Sequence, residues 1–346
     1  MKFGLVLNTQ FVAGESPTTK FRELLDQVRA ARDAGFDSVS ISHHYLLTPF
    51  AMLQPLPALG RIAAESGSMR LVTNIFLLTI HTPVYVAEQV ATLDVITEGR
   101  FVFGVGLGYR PEEFAGMGVP MTTRVSRFVE VLEVAKRLWT EDEVTHAGRH
   151  FRLDRAALTL KPVQRPHPPI WIAASGDAAF ERAARLGDAC LINPHASLAT
   201  VERQMALYRK ALGEAGKPFP AEAPIFKELS IARTREAAMA EARPYLEAKY
   251  KAYADWGLDK PMPKEESLSA PFAELARDRF IIGTPEECRA ELVRYNERVG
   301  VNHFLLRPQW PGMPQKQVLG QIELFGREVL PAFATERGGT RTGRLE

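Results

Sequence analysis

Short runs of β-branched and apolar residues alternate with longer amphipathic stretches along most of this chain. We interpret the runs as eight strands, at residues 3–7, 38–42, 70–78, 101–105, 170–173, 189–192, 226–232 and 303–306. The stretches between them repeat apolar residues at helical spacing, as Phe128, Leu132 and Ala135 do. Strands that alternate with helices pair in parallel through βαβ crossovers. Eight such units predict a (β/α)8 barrel, the TIM-barrel fold.

An open doubly wound sheet is the rival architecture. It is disfavoured because no GxGxxG motif follows the first strand and because eight units suit closure. Two stretches interrupt the alternation, near 140–165 and 235–283, and we interpret both as insertions of the kind that barrel loops tolerate. Residues 1–333 are therefore predicted to form one barrel domain. The polar, Gly-rich segment 334–346 is predicted to be a disordered tail.

Composition narrows the functional classes. The 346 residues carry a formal net charge of +2, which gives no electrostatic footprint for nucleic acid or an acidic membrane. No apolar run approaches the roughly 18 residues of a membrane helix. The two cysteines, Cys190 and Cys288, form neither a disulfide framework nor a metal cluster. We expect a cytoplasmic protein that binds no metal, and whose partners are small molecules and further copies of itself.

Polar and aromatic side chains follow most of the predicted strands. In a (β/α)8 barrel the C-terminal ends of the strands meet at one mouth, where active sites are built. The residues at these ends include His43, His44, Asn74, Tyr109, Arg110, Ser175, His195, Arg307 and Trp310. Such a ring predicts a ligand pocket. Asn74, His195, Arg307 and Trp310 are candidates for direct hydrogen bonds to the ligand.

The adjacent histidines His43 and His44 would point to opposite faces if their strand stayed regular, so at most one of them faces inward. A histidine can act as acid, base or hydrogen-bond donor near neutral pH, and a structural role is equally open here. No third ligand stands at metal spacing, which argues against zinc.

Small residues near the mouth leave two interpretations open. Gly104, Gly106 and Gly108 alternate along the fourth strand and its exit, where the missing Cβ atoms could admit a flat ring system or simply allow a tight barrel corner. Ser175-Gly176 precedes a helix, and its N–H groups and hydroxyl suit a phosphate. The alternative is that Ser175 or Asp177 merely caps that helix.

Taken together, these segments resemble the bacterial luciferase-like superfamily of flavin-dependent oxidoreductases. The likeness covers roughly residues 1–333 and is most specific between 70 and 190. The segments that carry it best are Thr73-Asn74-Ile75-Phe76-Leu77, Glu98-Gly99-Arg100-Phe101, Gly104-Val105-Gly106-Leu107-Gly108-Tyr109-Arg110 and Pro168-Pro169-Ile170-Trp171.

This resemblance implies a barrel that is usually dimeric and binds FMN, or the related deazaflavin F420, at its mouth. It implies a non-proline cis peptide bond at Asn74-Ile75 beneath the flavin ring. It also implies that Ser175-Gly176 holds the flavin phosphate.

The same resemblance assigns further contacts. Gly106 and Tyr109, at the end of the fourth strand, are expected to contact the cofactor. The pair His43-His44 matches a segment that controls the oxygenated flavin, with His44 the first candidate for the proton role and His43 the second.

One arginine of luciferase has no counterpart in this chain, because Leu107 stands where the family places a phosphate-binding arginine. The phosphate charge is then expected to meet Arg110, Arg124 or Arg127. Arg127 could instead pair with Glu130, three residues further along the helix.

Three functions follow from the resemblance, in decreasing order of support. The first is a two-component monooxygenase, in which a separate reductase supplies FMNH2, O2 forms a peroxyflavin, and a small hydrophobic organic substrate is oxygenated. The second is an F420-dependent hydride-transfer enzyme, and the third is a flavin-binding protein without turnover. A loop at 255–280 would cover the pocket. The substrate itself is not readable from the sequence.

Overall fold

The computed structural model describes residues 1–255 and 267–334. Within these residues, eight parallel strands close into a barrel, because the last strand pairs with the first. The barrel strands are β1 (Lys2–Leu7), β2 (Ser38–Ile41), β3 (Arg70–Thr73), β4 (Phe101–Gly106), β5 (Ile170–Ala174), β6 (Ala189–Ile192), β7 (Pro224–Ile231) and β8 (His303–Arg307). The predicted (β/α)8 fold is therefore confirmed.

Helices surround this barrel, and local sequence sets several of their ends. The first helix begins after Ser16, whose side chain accepts a hydrogen bond from the Thr19 N–H, and it ends at Gly35 with φ 88°. The helices of the described residues are α1 (Pro17–Ala34), α2 (Pro55–Ile62), α3 (Pro83–Ile96), α4 (Pro111–Gly116), α5 (Arg124–Thr140), α6 (Asp177–Leu186), α7 (Leu198–Glu214), α8 (Arg235–Asp255), α9 (Phe272–Ala276), α10 (Pro285–Val299) and α11 (Gln315–Glu328).

The third strand differs from its prediction as one unbroken strand over 70–78. β3 ends at Thr73, a cis peptide bond joins Asn74 to Ile75, and pairing with β4 resumes only at Phe76–Leu77. The register against β4 shifts by one residue across this break. Such a shift places one extra residue in one strand and re-aims the side chains that follow.

Close packing at this break explains the glycines of β4. A Cβ on Gly104 would lie 1.9 Å from the carbonyl oxygen of Thr73, and one on Gly106 would lie 2.5 Å from the Ile75 side chain. Of the two interpretations of these glycines, the tight corner therefore accounts for both positions. The missing Cβ atoms make room for the neighbouring strand.

The barrel interior is filled by side chains from successive strands. The inward-facing residues include Val6, Val72, Val102, Trp171, Leu191, Phe226 and Leu305, all of them buried. This layer makes the barrel a packed core and leaves the C-terminal strand ends above it as the mouth.

A charged network closes the opposite end of the barrel. His303 lies 2.8 Å from the Ser38 hydroxyl, and Arg70 donates to both oxygens of Glu222 at 2.7 Å. His303 also contacts Glu222, so Ser38, His303 and Glu222 form a chain of side-chain contacts. Ser38 and His303 are fully buried, which gives this arrangement a structural role at the N-terminal face.

Both predicted insertions lie between barrel strands. The first contains an antiparallel hairpin, Val144–Ala147 with Arg152–Ala156. The second holds α8 and α9, then a short strand, Ile281–Gly283, that pairs with the end of β7. Residues 256–266 of the predicted pocket cover and residues 335–346 of the predicted tail lie outside the described residues.

The helices of the structure were compared with the requirements for a membrane-spanning helix. Among the described residues, none of them combines the length and the apolar character that crossing a bilayer requires.

Replacing Gly104 by alanine should destabilise the protein by about 3 kcal/mol, because backbone atoms of β3 occupy the space that the new Cβ needs. Gly320→Ala is the matched control. Gly320 lies within α11 with nothing near its Cβ position, so the same substitution should stabilise by about 0.5 to 1 kcal/mol. Urea denaturation measures both, and equal effects of the two substitutions would contradict the packing argument.

Candidate active site

His43, at the end of β2, is held on both sides of its ring. Its Nδ1 accepts a hydrogen bond from the Leu77 backbone N–H at 3.1 Å, and its Nε2 lies 3.0 Å from Gln54 Oε1. Because Nδ1 must be an acceptor, Nε2 carries the hydrogen and donates it to Gln54. Burial lowers the pKa of His43 to about 3, and the nearby His81 and His44 add to that shift. His43 is thus a neutral residue that ties β2 to the broken third strand.

Because β2 ends at Ile41, the alternation expected of a regular strand does not extend to His43 and His44. His44 contacts a different element, α4. Its Nδ1 lies 2.8 Å from Glu113 Oε1 on α4, and Glu113 is fully buried. The same Oε1 atom accepts from the Tyr45 N–H, so it acts as an acceptor and the His44 Nδ1 donates to it. The Nε2 atom remains at the mouth, where the His44 ring meets Tyr109 edge to face at 5.8 Å. A histidine oriented by a buried carboxylate can accept or give a proton at its far nitrogen.

Glu113 also organises the loop after β2. Its Oε1 accepts a second hydrogen bond, from the Tyr45 N–H at 3.0 Å. Arg110, 8% exposed, donates to the Tyr45 carbonyl at 2.9 Å and lies 3.7 Å from the same carboxylate oxygen. Arg110 therefore fixes the backbone beside His44.

The turn at Ser175-Gly176 opens onto α6. Gly176 is the N-cap residue, and no side chain caps this helix. The alternative of an ordinary cap by Ser175 or Asp177 is therefore wrong. Asp177 pairs with Arg203 at 3.0 Å, and nothing lies within 4 Å of the Gly176 Cβ position. Uncapped N–H groups at a helix start form a site suited to an anion.

Arginines from two helices are further candidates for a contact with a ligand anion. Arg182 of α6 packs over the Phe128 ring at 5.8 Å, and the charge of Arg124, at the start of α5, acts on it. Burial lowers the pKa of Arg182, with Arg124 adding to the shift. Among the described residues, no carboxylate forms an ion pair with Arg124 or Arg182. Both guanidinium groups can therefore meet a ligand anion.

Arg127 is placed differently. Its Nε donates to the Thr79 carbonyl at 3.0 Å, and its guanidinium lies 4.8 Å from the centre of the Phe151 ring. Glu130 instead accepts hydrogen bonds from His146 and from the backbone N–H groups of the hairpin, so the pairing considered for Arg127 and Glu130 does not form. Arg127 anchors the segment after the broken strand.

Several buried polar atoms around the mouth have no partner in the described part of the chain. They include Thr9 Oγ1 after β1, Asn74 Nδ2 after β3 and Gln309 Oε1 after β8. Buried polar groups are normally hydrogen-bonded, so unpaired donors and acceptors at one rim fit a polar ring system that would pair with them. Asn74, Ile75 and Tyr109 line the same side of the rim. These residues, with the Ser175-Gly176 turn, fit a flavin.

The far side of the mouth holds the remaining candidates. Arg307 and Trp310 both donate to a buried carboxylate, Glu228. His195 lies 3.4 Å from the Tyr250 hydroxyl. The described residues contain no cluster of three or more histidine, cysteine, aspartate or glutamate side chains able to hold a metal.

Sequence reasoning missed several residues of this site, among them Glu113, Gln54 and Arg182. Glu113 had a usable signal, because Pro111-Glu112-Glu113 is typical of the first turn of a helix that follows a barrel strand. Gln54 and Arg182 had none, since only the fold brings them to His43 and to the α6 turn.

Comparison with known proteins gives consistent results. The family model described as luciferase-like monooxygenase matches residues 1–303. An F420-dependent glucose-6-phosphate dehydrogenase of Nakamurella multipartita is 29% identical over 326 residues, which cover 89% of this chain and 91% of that protein. The oxygenase component of a flavin-dependent trigonelline monooxygenase from Acinetobacter baylyi is 23% identical, covering 97% of each chain.

Solved structures agree with this result. The crystal structure of a monooxygenase from Streptomyces bottropensis superposes with a TM-score of 0.82 at 27% identity, over 96% of this chain and 100% of that one.

His43→Asn removes the titrating imidazole but can keep an acceptor for the Leu77 N–H. At pH 7 we expect the variant to be less stable by about 1 to 3 kcal/mol. The folded-state pKa of His43 is lowered to about 3, so its contribution is full above the unfolded value of 6.5 and is lost as the pH falls. The stability difference should therefore shrink between pH 6.5 and 5, by at most about 1.4 kcal/mol per pH unit.

Urea denaturation from pH 5 to 9 measures this difference, and the range above pH 7.5 serves as the internal control, where it should stay constant. A difference that grows towards pH 5 would mean that His43 is protonated in the folded protein.

Proposed function

Because the chain belongs to the luciferase-like monooxygenase family, we propose that it is the oxygenase component of a two-component monooxygenase that uses reduced FMN. The observation that carries this proposal is the pair of His44 and the buried Glu113, which sets one basic nitrogen at the barrel mouth. The uncapped turn of α6 lies on the same rim. When bound, the flavin would supply the reaction with oxygen. The protein would orient the flavin and the substrate, exclude water from the site and provide a proton.

Each residue has a defined part in this proposal. Asn74 and Ile75 would lie beneath the flavin ring, with Tyr109 and Gly106 beside it. Ser175-Gly176 would bind the phosphate through N–H groups at the helix start. His44 would hold or release a proton at Nε2 while Glu113 keeps its ring in place. His43, bonded at both nitrogens, would support the loop.

Of the three arginines predicted for the phosphate, we propose Arg124, with Arg182 as its partner. Arg110 and Arg127 already donate to backbone carbonyls. Arg124 and Arg182 form no ion pair with a carboxylate of the described residues, and Arg182 lies on α6, the helix that follows Ser175-Gly176. Two arginines without carboxylate partners suit a phosphate dianion.

We also propose that a separate flavin reductase and a second copy of this chain are its partners. The relative from Acinetobacter is itself an oxygenase component. Helix α3 exposes apolar side chains near both of its ends, Val84 and Tyr85 near its start and Val95 and Ile96 near its end. Exposed apolar patches of this kind favour a protein contact.

Hydride transfer with F420 is the second candidate, because the Nakamurella relative is F420-dependent. Anaerobic titration with FMNH2 and with reduced F420, followed by oxygen, separates the two. We expect FMNH2 to bind at least about tenfold more tightly, and we expect the bound flavin to be reoxidised by O2. Preference for F420 without reaction with oxygen would overturn the monooxygenase. A third outcome, bound flavin whose oxygen uptake no organic substrate changes, would favour a flavin-binding protein without turnover.

Arg124→Met should weaken FMN binding by roughly ten- to a hundredfold, because a charge-assisted contact to the phosphate is lost. Riboflavin has the same ring but no phosphate, so its affinity should not change. Arg155→Met is the matched control, since Arg155 is an exposed arginine of the hairpin. Fluorescence titration measures both ligands, and equal weakening of FMN and riboflavin would argue against a phosphate contact at Arg124.

A further inference from the structure

A second charged cluster lies across the mouth from His44, where β7 and β8 end. Glu228 and Arg307 are register partners on these strands. Phe226 and Leu305, two residues earlier, point into the barrel, so Glu228 and Arg307 form the next layer up on the inward side. Arg307 donates from Nε and Nη2 to the two oxygens of Glu228, at 3.0 and 2.6 Å.

This cluster carries more positive than negative charge. Lys249 of α8 reaches over the mouth and forms a second ion pair with Glu228, and Trp310 donates to the same carboxylate at 2.9 Å. Two cations therefore share one carboxylate. The side chains of Lys249 and Arg307 are only 11% and 9% exposed, so little water is present to solvate the surplus charge. An anion is the natural complement of such a desolvated cation.

Aromatic rings surround the surplus charge. The Lys249 ammonium lies 5.3 Å and 5.2 Å from the ring centres of Tyr250 and Tyr253. The His195 ring meets Tyr253 edge to face at 5.3 Å. Burial lowers the pKa of His195 to about 3, so this ring stays neutral and adds no further cation. Rings in this arrangement favour edge and face contacts with another ring.

The cluster belongs to the same mouth as His44. The cluster stands at the carboxyl ends of β7 and β8, which lie at the same rim as the ends of β2 and β4, the strands that precede His44 and Tyr109. Tyr109 in turn contacts the His44 ring at 5.8 Å. A small ligand held at Lys249 would thus extend towards the reacting side of the mouth.

We propose that Lys249 and Arg307, held by Glu228, form a subsite for the carboxylate group of an aromatic acid substrate. This rests on the proposed function, which requires a substrate in this mouth. Lys249 would bind the carboxylate through donors that Glu228 does not use, and Arg307 would supply the second positive charge. Tyr253 and His195 would contact the ring of the substrate. The subsite selects an organic anion and places its uncharged end towards His44.

Isothermal titration with benzoate and with benzamide tests the proposal, using the purified full-length chain in a buffer free of carboxylates and phosphate. The two probes share a ring and differ in charge. We expect benzoate to bind at least about tenfold more tightly than benzamide, as one charge-assisted contact implies. Benzoate should also exceed both acetate and inorganic phosphate. Equal binding of benzoate and benzamide, or phosphate as tight as benzoate, would overturn the proposal.

Substitutions of Lys249 locate the contact. Lys249→Gln should weaken benzoate binding by about tenfold or more, whereas Lys249→Arg keeps the charge and should retain most of the affinity. Lys251→Gln, on the exposed face of the same helix, is the matched control and should have no effect. Lys249 is chosen because its loss leaves Glu228 paired with Arg307, so no buried charge is stranded. Unchanged benzoate affinity in folded Lys249→Gln protein would refute the subsite.

The two proposals fail separately. Absence of flavin binding with benzoate preference intact would refute the proposed function and leave an anion site. Flavin binding without benzoate preference would refute only the subsite.

Discussion

Pairing of β8 with β1 is the constraint on which the rest of the structure depends. Once the last strand joins the first, all eight parallel strands of the described chain end at one rim. Residues separated by more than two hundred positions, such as His44 and Arg307, then surround one space. The packed layer beneath them, with Trp171 and Phe226, makes that rim a floor on which a ligand can rest.

Two buried carboxylates organise opposite sides of this rim, and they differ in what they gather. Glu113 accepts from the His44 ring and the Tyr45 N–H, so it fixes orientation. Glu228 forms ion pairs with both Arg307 and Lys249. One carboxylate therefore holds two cations in place, and the group keeps a net positive charge. The two sides of the barrel mouth therefore differ in chemistry. One side holds the oriented histidine, and the other holds the excess positive charge. Such an arrangement suits a ligand with a charged end and a reacting end.

Local sequence signals were sufficient where one element decides its own conformation. The alternation of β-branched and amphipathic segments predicted seven of the eight barrel strands to within two residues at each end. The third strand is the exception. Its apolar run over 70–78 has strand composition throughout, yet the contact between Thr73 and Gly104 and the shift of register end it at Thr73. A contact between neighbouring strands cannot be predicted from the local sequence of either strand.

The sequence by itself determined the barrel, the family resemblance and the set of residues at the strand ends, because periodicity and chain order specify which side chains reach the mouth. Only the tertiary structure decided which of those residues has a structural role and which is available to a ligand. Both ring nitrogens of His43 are bonded, whereas among the described residues only Nδ1 of His44 has a hydrogen-bond partner, and this follows from Gln54, Leu77 and Glu113. The physical reason is that hydrogen-bond partners and burial set the protonation and freedom of a side chain. In this protein those partners come from elements far apart in the chain.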